Sequence, residues 1–224
     1  PRPAQPVNTL DAQFEGRPGI GYGLSETNAL ATLGNGDEYV NHPSSTGRVV
    51  PPLTEIKILD NDWNEVAEGE LGEIAIKTPA SMVGYWKNDE ATKECMNEGG
   101  WFRTGDLGKF EGPFLYIVDR VKDMVIRGGE NIACPEVEAA IYEHENVLEV
   151  CVFGVPDTRL GEIVSCCIYL KPGTNLNQEE LSSFLSDKLA PFKIPAEFNF
   201  TENKIPRLAS EKFEKPTLRK IYSK

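Results

Sequence analysis

Apolar and polar positions alternate along "TEIKILD" (Thr54–Asp60) with the two-residue period of a strand. "NDWN" breaks the run, and "GELGEIAIK" (Gly69–Lys77) takes the alternation up again, so the pair predicts a β-hairpin. "GWFRTGDLGKFEGPFLYIV" (Gly100–Val118) reads as two more strands about a Gly-Pro turn. Between these, "NDEATKECMN" predicts a short helix stopped by Gly99-Gly100, while residues 1–53, rich in Gly, Pro, Asn and Ser, read as loops around a short apolar stretch. The rhythm changes after Pro135. Val137, Ala140 and Ile141 fall on one helical face, "LEVCVFGV" and "EIVSCCIYL" read as strands, and "NQEELSSFLSDKL" predicts a second helix. That helix opens with Asn177 and Glu180 at capping-box spacing and carries Leu181, Phe184, Leu185 and Leu189 on one face. The fold class expected is α+β, with a β-rich domain over 1–120 and a small mixed domain over 121–224. The boundary, near Arg120 to Lys122, has no long linker, which suits a hinge of a few residues. No internal repeat or low-complexity tract interrupts the chain.

Composition narrows what such a molecule does. With 224 residues, 40% of them hydrophobic, it can bury a real core. A formal net charge of −12 argues against a general binder of nucleic acid or of anionic membranes, so any anionic ligand must meet a local positive cluster. The 5 cysteines show no Cys-x-x-Cys spacing and read as buried thiols in a reducing cytoplasm. His42 and His144 lie far apart and offer neither a zinc site nor a catalytic triad. No apolar run reaches membrane-spanning length and no basic-then-apolar signal segment is present. The chain starts at Pro1 without an initiator Met, and a piece of a longer protein is the expectation.

Three stretches carry candidate chemistry. "DRVKDMVIRGGENIACPEVEAAI" (Asp119–Ile141) sets Arg120, Lys122 and Arg127 beside the flexible Gly128-Gly129 pair and a helix opening at Pro135. Guanidinium forks, exposed backbone N–H groups and a positive helix end are the ingredients of an anion site, though a linker followed by a helix would read the same way. In "GIGYGLSETN", Gly21 and Gly23 bracket Tyr22, and Ser25 and Glu26 follow. The spacing does not fit the dinucleotide fingerprint. Tyr22 could stack on a base, Ser25 could donate to a phosphate oxygen and Glu26 could hold a hard cation such as Mg²⁺; the alternative is a Gly-rich turn with a core tyrosine. In "GWFRTGDLG", Asp106 is placed on a turn, where a short carboxylate can accept from vicinal hydroxyls or close an Asx turn.

Order and combination point further than any single stretch. The succession "YGLSE", "GELGEIAIKTPASMVGYW", "GWFRTGDLG", "DRVKDMVIRGGENIACPEVE", "VFGVPDTRLGE", "APFKIP" and "IPRLASEK" strongly resembles the adenylate-forming acyl-CoA ligase superfamily, which also holds the adenylation domains of peptide synthetases and the luciferases. The resemblance runs from about residue 20 to about residue 220. It implies the β-rich end of a large AMP-binding domain followed by a small mobile C-terminal lid. It implies adenine packing at Tyr22 between Gly21 and Gly23, a phosphate contact at Ser25, Mg²⁺ at Glu26, and ribose contacts at Asp106 and Arg120. Lys122 falls on the family's hinge position, Gly128 and Gly129 on the loop lining the pantetheine tunnel, and Lys212 on the catalytic lysine. Ser25 stands where the family has Thr, Asp119 where Gly usually precedes the arginine, and Glu211 where Gly usually precedes the lysine.

The "GGENIACPEVE" form resembles acyl- and aryl-CoA ligases, so the resemblance implies a fatty or aryl carboxylic acid, ATP and coenzyme A as substrates, with CoA as acceptor. Nothing before Gly21 matches the family's Ser/Thr/Gly-rich, Lys-ending phosphate loop. The chain therefore reads as the C-terminal portion of a ligase, inactive alone without its N-terminal portion. A natural truncation acting as a non-catalytic AMP- or CoA-binding or regulatory module is the other reading.

Overall fold

The computed structural model describes residues 18–209 and 211–223, and the loop reading of residues 1–17 lies outside them. The chain divides into two compact units, one up to Val121 and one from Lys122.

The first unit is built on a seven-stranded antiparallel sheet. Its strands are β1 (Gly19–Tyr22), β2 (Thr32–Asn35), β3 (Arg48–Val49), β4 (Glu55–Leu59), β5 (Gly72–Lys77), β6 (Phe102–Glu111) and β7 (Phe114–Arg120), in the order β1-β2-β3-β7-β6-β5-β4. Two short helices, α1 (Asp37–Asn41) and α2 (Asp89–Cys95), lie between strands. The alternation of β4 and β5 puts Ile58, Ile74 and Ile76 into a core with Ala31 and Leu115. The β6–β7 hairpin turns at Gly112-Pro113, and Asn88 caps α2 by accepting from the Ala91 amide at 3.2 Å. The expectation of loops over residues 18–53 is corrected: the segment carries β1, β2, β3 and α1. These strands are two to four residues long, too short for a two-residue period to show above the Gly and Asn around them.

The second unit pairs β8 (Val125–Arg127) with β9 (Glu130–Ile132), then runs through α3 (Cys134–Tyr142), β10 (Val147–Asp157), β11 (Gly161–Leu170), α4 (Gln178–Ser186), β12 (Glu197–Thr201) and α5 (Lys215–Tyr222). The sheet order is β10-β11-β8-β9, with β12 added parallel to β11. β10 and β11 read as unbroken apolar runs because both sheet faces are covered. Val150, Val152, Val164, Cys166 and Ile168 pack with α3 and α4, while Cys151, Phe153, Val155 and Cys167 pack with Ile205 and Leu218 on the other face. The capping box holds: Asn177 Oδ1 accepts from the Glu180 amide at 2.9 Å, and Glu180 Oε2 accepts from the Asn177 amide at 3.2 Å.

After Lys212 the chain forms the helix α5, whose Leu218 and Tyr222 close the second sheet face. All five cysteines are thiols; Cys134, Cys151, Cys166 and Cys167 are buried, whereas Cys95 is half-buried. Among the described residues no helix is long and apolar enough to cross a membrane.

Candidate functional site

In the first unit, β1 delivers Tyr22 to its end, opposite Thr32 of β2. The Tyr22 hydroxyl donates to Asp106 Oδ2 at 2.7 Å, and Arg120 Nε donates to Asp106 Oδ1 at 3.1 Å. Asp106 and Arg120 are direct cross-strand partners on β6 and β7, so the register of one hairpin makes the pair. Asp106 therefore sits in a strand, not on the turn expected from "RTGDLG". The glycines serve an irregular strand instead. Gly105 adopts φ +73°, and a Cβ at Gly108 would lie 2.6 Å from the Tyr116 carbonyl oxygen, beside the register shift between Leu107 and Gly108. Burial, reinforced by the Asp106 anion, holds the Tyr22 phenol far above its usual range. The Asp106 side chain is 13% exposed, while the Arg120 side chain stays 45% exposed.

After Tyr22 the chain turns through Gly23, where a Cβ would meet the Ala29 carbonyl oxygen at 1.9 Å. The glycine is required by packing of its own turn. Ser25 is exposed at the start of a 3₁₀ turn, Ser25–Thr27, and Gly21 is exposed on β1. The Glu26 carbonyl accepts from the Met82 amide at 2.7 Å, and Glu26 Oε1 accepts from the Tyr85 hydroxyl at 3.0 Å. Partial burial, with that bond and the Glu26 charge, pushes the Tyr85 phenol up to about 12. The structure thus brings Tyr22 and Arg120 onto the Asp106 carboxylate and ties the Glu26 turn to the segment holding Tyr85. Tyr85 and Thr104, whose hydroxyl accepts from the Asp106 amide at 3.1 Å, do not stand out in the sequence. A Tyr in "GYW" and a Thr next to "GD" carry no signal of such contacts without the fold.

Of the expected residues, the second unit carries Lys122, Gly128, Gly129 and Lys212. Gly128 (φ +60°) and Gly129 (φ +91°) are the central residues of a two-residue hairpin in which Arg127 faces Glu130. Positive φ at both is what a tight hairpin of this type demands. The pair is therefore the turn of a β-hairpin, and the Gly128 amide donates to the Leu160 carbonyl at 2.7 Å. Strand β9 stands between these glycines and α3, so hairpin and helix start are separate features. Lys122 is exposed, with its carbonyl accepting from Arg219 at 3.3 Å. Lys212 is exposed on the loop after β12, and Glu211 before it adopts φ +62°. A cavity of about 710 Å³ elsewhere in this unit, lined by Tyr169, Thr174, Asn177, Glu180, Phe200 and Thr201, includes none of the expected residues. Asn177 and Glu180 there already satisfy each other.

Mg²⁺ suits a site built from one or two carboxylates completed by substrate phosphates and water. Among the described residues no three His, Cys, Asp or Glu side chains gather as a metal cluster. Glu26 fits the sparser arrangement as a single hard oxygen donor that accepts from the Tyr85 hydroxyl.

The chain is similar to known proteins over most of its length. Residues 1–86 match the family model described as AMP-binding enzyme, and residues 136–212 the one described as AMP-binding enzyme C-terminal domain. The 2-succinylbenzoate–CoA ligase of Bacillus licheniformis is 42% identical over 85% of this chain and 39% of its own length. The long-chain-fatty-acid–CoA ligase of Bacillus subtilis is 42% identical over 84% of this chain and 33% of its own. Among solved structures, ATP-bound MatB from Rhodopseudomonas palustris aligns with a TM-score of 0.89 at 31% identity, covering 98% of this chain and 43% of MatB. The o-succinylbenzoate CoA synthetase of Bacillus subtilis, in complex with its acyl-adenylate intermediate, also reaches 0.89, at 30% identity over 98% of this chain and 44% of its own. The chain thus spans well under half the length of these relatives.

Proposed function

Because the chain belongs to the adenylate-forming superfamily of AMP-binding enzymes, we propose that it is the C-terminal portion of an ATP-dependent carboxylate–CoA ligase. The substrate class is a fatty or aryl acid. The observation that carries this reading is the convergence of Tyr22 and Arg120 on the buried Asp106 carboxylate. A carboxylate pinned from two sides is a preorganised acceptor for ribose hydroxyls, and the half-exposed Arg120 can donate beside it. Gly21, Tyr22 and Gly23 supply the adenine side, and the exposed Ser25 hydroxyl a phosphate contact. Residues 1–120 are then the end of the nucleotide-binding domain, and residues 121–224 the mobile lid with Lys122 as pivot and Gly128-Gly129 at the thiol entry.

In the first half-reaction a carboxylate oxygen attacks the α-phosphorus of ATP, the α–β phosphoanhydride bond breaks, and pyrophosphate leaves. Two anions must approach, and charge grows on the α-phosphate oxygens. The Lys212 ammonium, on a long stem, can bridge both groups as that charge develops. Mg²⁺, when bound at Glu26 and the phosphates, supplies screening of negative charge. In the second half-reaction the CoA thiol attacks the acyl carbon, the carboxyl–phosphate bond breaks, and AMP leaves.

This assignment separates the half-reactions. In the full-length protein, Lys212→Ala should lower adenylation, measured by pyrophosphate exchange, by about 100-fold or more. Thioester formation from supplied acyl-adenylate should stay largely intact. Equal loss in both would remove Lys212 from the role of adenylation lysine.

A further inference from the structure

Resting on the reading of Lys212 as the adenylation lysine, we propose that Arg207 is its positioning residue. Arg207 reaches two places at once. One guanidinium nitrogen donates to the Glu211 carbonyl at 2.7 Å, and the other donates to Glu149 Oε1 at 3.1 Å. The Glu211 carbonyl belongs to the peptide bond that leads into Lys212, so the guanidinium holds the peptide plane from which the lysine departs. Glu149 is rooted in β10 with a side chain only 14% exposed, and its second oxygen accepts from the Ile205 amide at 3.0 Å. Ile205 is in turn 2% exposed, packed in the core face with Cys151 and Phe153. The anchor for the loop is therefore a little-exposed carboxylate on β10, tied to the core face that holds Ile205.

The loop's own bonds complete the clamp. Arg207 and Phe213 form a β-bridge, the Arg207 guanidinium carbon lies 4.2 Å from the Phe213 ring centre, and the Leu208 amide donates to the Lys212 carbonyl at 2.8 Å. Glu211 sits at φ +62°, a conformation a side-chain-bearing residue enters only when its surroundings insist. A carbonyl held by a charged donor is one such insistence. An ammonium on a four-carbon stem has wide reach, so its usefulness depends on the backbone it springs from. Misplacement by about 1 Å can cost roughly 100-fold in rate.

The test combines kinetics with amide exchange on the full-length protein. Arg207→Gln should lower kcat for pyrophosphate exchange by roughly 10- to 100-fold and leave thioester formation from supplied acyl-adenylate within about twofold. Arg207→Lys, which keeps a cation but not the fork, should fall between. Glu149→Gln, which keeps an acceptor for the Ile205 amide but loses the charge facing Arg207, should show a smaller loss of the same kind. Arg207→Gln added to Lys212→Ala should cost nothing further. Amide exchange at Leu208 and Glu211 should accelerate in Arg207→Gln while the Val152 amide stays protected.

Normal adenylation in Arg207→Gln alongside its loss in Lys212→Ala would overturn the proposal, as would fully additive losses in the double variant. Should Lys212→Ala leave adenylation intact, the reading of Lys212 fails. Exchange at Leu208 and Glu211 then decides the positioning claim alone, and unchanged exchange sinks it.

Discussion

Asp106 accepts from a phenol and a guanidinium that arrive from different strands, so its two oxygens are oriented before any ligand is present. The Tyr22 end of this arrangement has a pH signature. Burial and the Asp106 charge raise the folded phenol's pKa above the unfolded value of about 10. A raised pKa stabilises the fold fully below the unfolded value, and that contribution is lost as pH climbs beyond it. Tyr22→Phe leaves Asp106 Oδ2 without its donor, a cost of about 1–3 kcal/mol near neutral pH. Because only the wild type then forfeits the phenol's contribution, the difference between the two proteins should shrink above pH about 10. Urea titrations at neutral and alkaline pH would measure it; a difference constant across that range would mean that the phenol is not held in its protonated form.

Elements differ in how much of themselves the sequence shows, and the reason is what covers them. The β4–β5 and β6–β7 hairpins and the capped α4 are legible because one face is apolar and the turn residues are specific. α5 is not, since over Lys215–Tyr222 its inward face consists chiefly of Leu218 and Tyr222 among cations, and the sheet face that needs it lies far away in sequence. Asp106 is legible as a site residue but not as a strand residue, because Gly105 and Gly108 look like turn punctuation until their close neighbours are known. The Gly128-Gly129 hairpin escapes notice for the complementary reason, as β8 and β9 are three residues each. The split of β10 and β11 between two cores gives a direct check on α5. Leu218 is 1% exposed, and Leu218→Ala should cost about 2–5 kcal/mol. The loss should fall on one sheet face only. Alkylation mapped by mass spectrometry should find Cys151 and Cys167 reacting faster in the variant, with Cys134 and Cys166, which belong to the α3–α4 core, unchanged. Uniform acceleration of all four would mean that the two faces open together.

At the scale of the whole molecule, the residues assigned to the two half-reactions are divided between units that each own a core. Tyr22, Glu26, Asp106 and Arg120 lie before the division at Val121, and Lys212 with the Gly128-Gly129 hairpin lies after it. If the first unit holds the nucleoside and the second supplies charge only as the reaction proceeds, binding and chemistry should separate by variant. AMP carries the ribose hydroxyls but neither the acyl carboxylate nor the pyrophosphate leaving group. Its affinity for the chain should therefore depend on Asp106 and be indifferent to Lys212. Titration calorimetry should show Asp106→Ala weakening AMP binding by about tenfold or more, the scale of a lost charged hydrogen-bond acceptor, while Lys212→Ala stays within about twofold. The same unmodified chain should give little or no pyrophosphate exchange, because it spans 43% of the ATP-bound relative and no Ser/Thr/Gly-rich phosphate loop is found before Gly21. Robust exchange by this chain would mean that the β- and γ-phosphates are held by residues outside the proposed site, and a drop in AMP affinity on Lys212→Ala would place the lysine in ground-state binding rather than in the transition state.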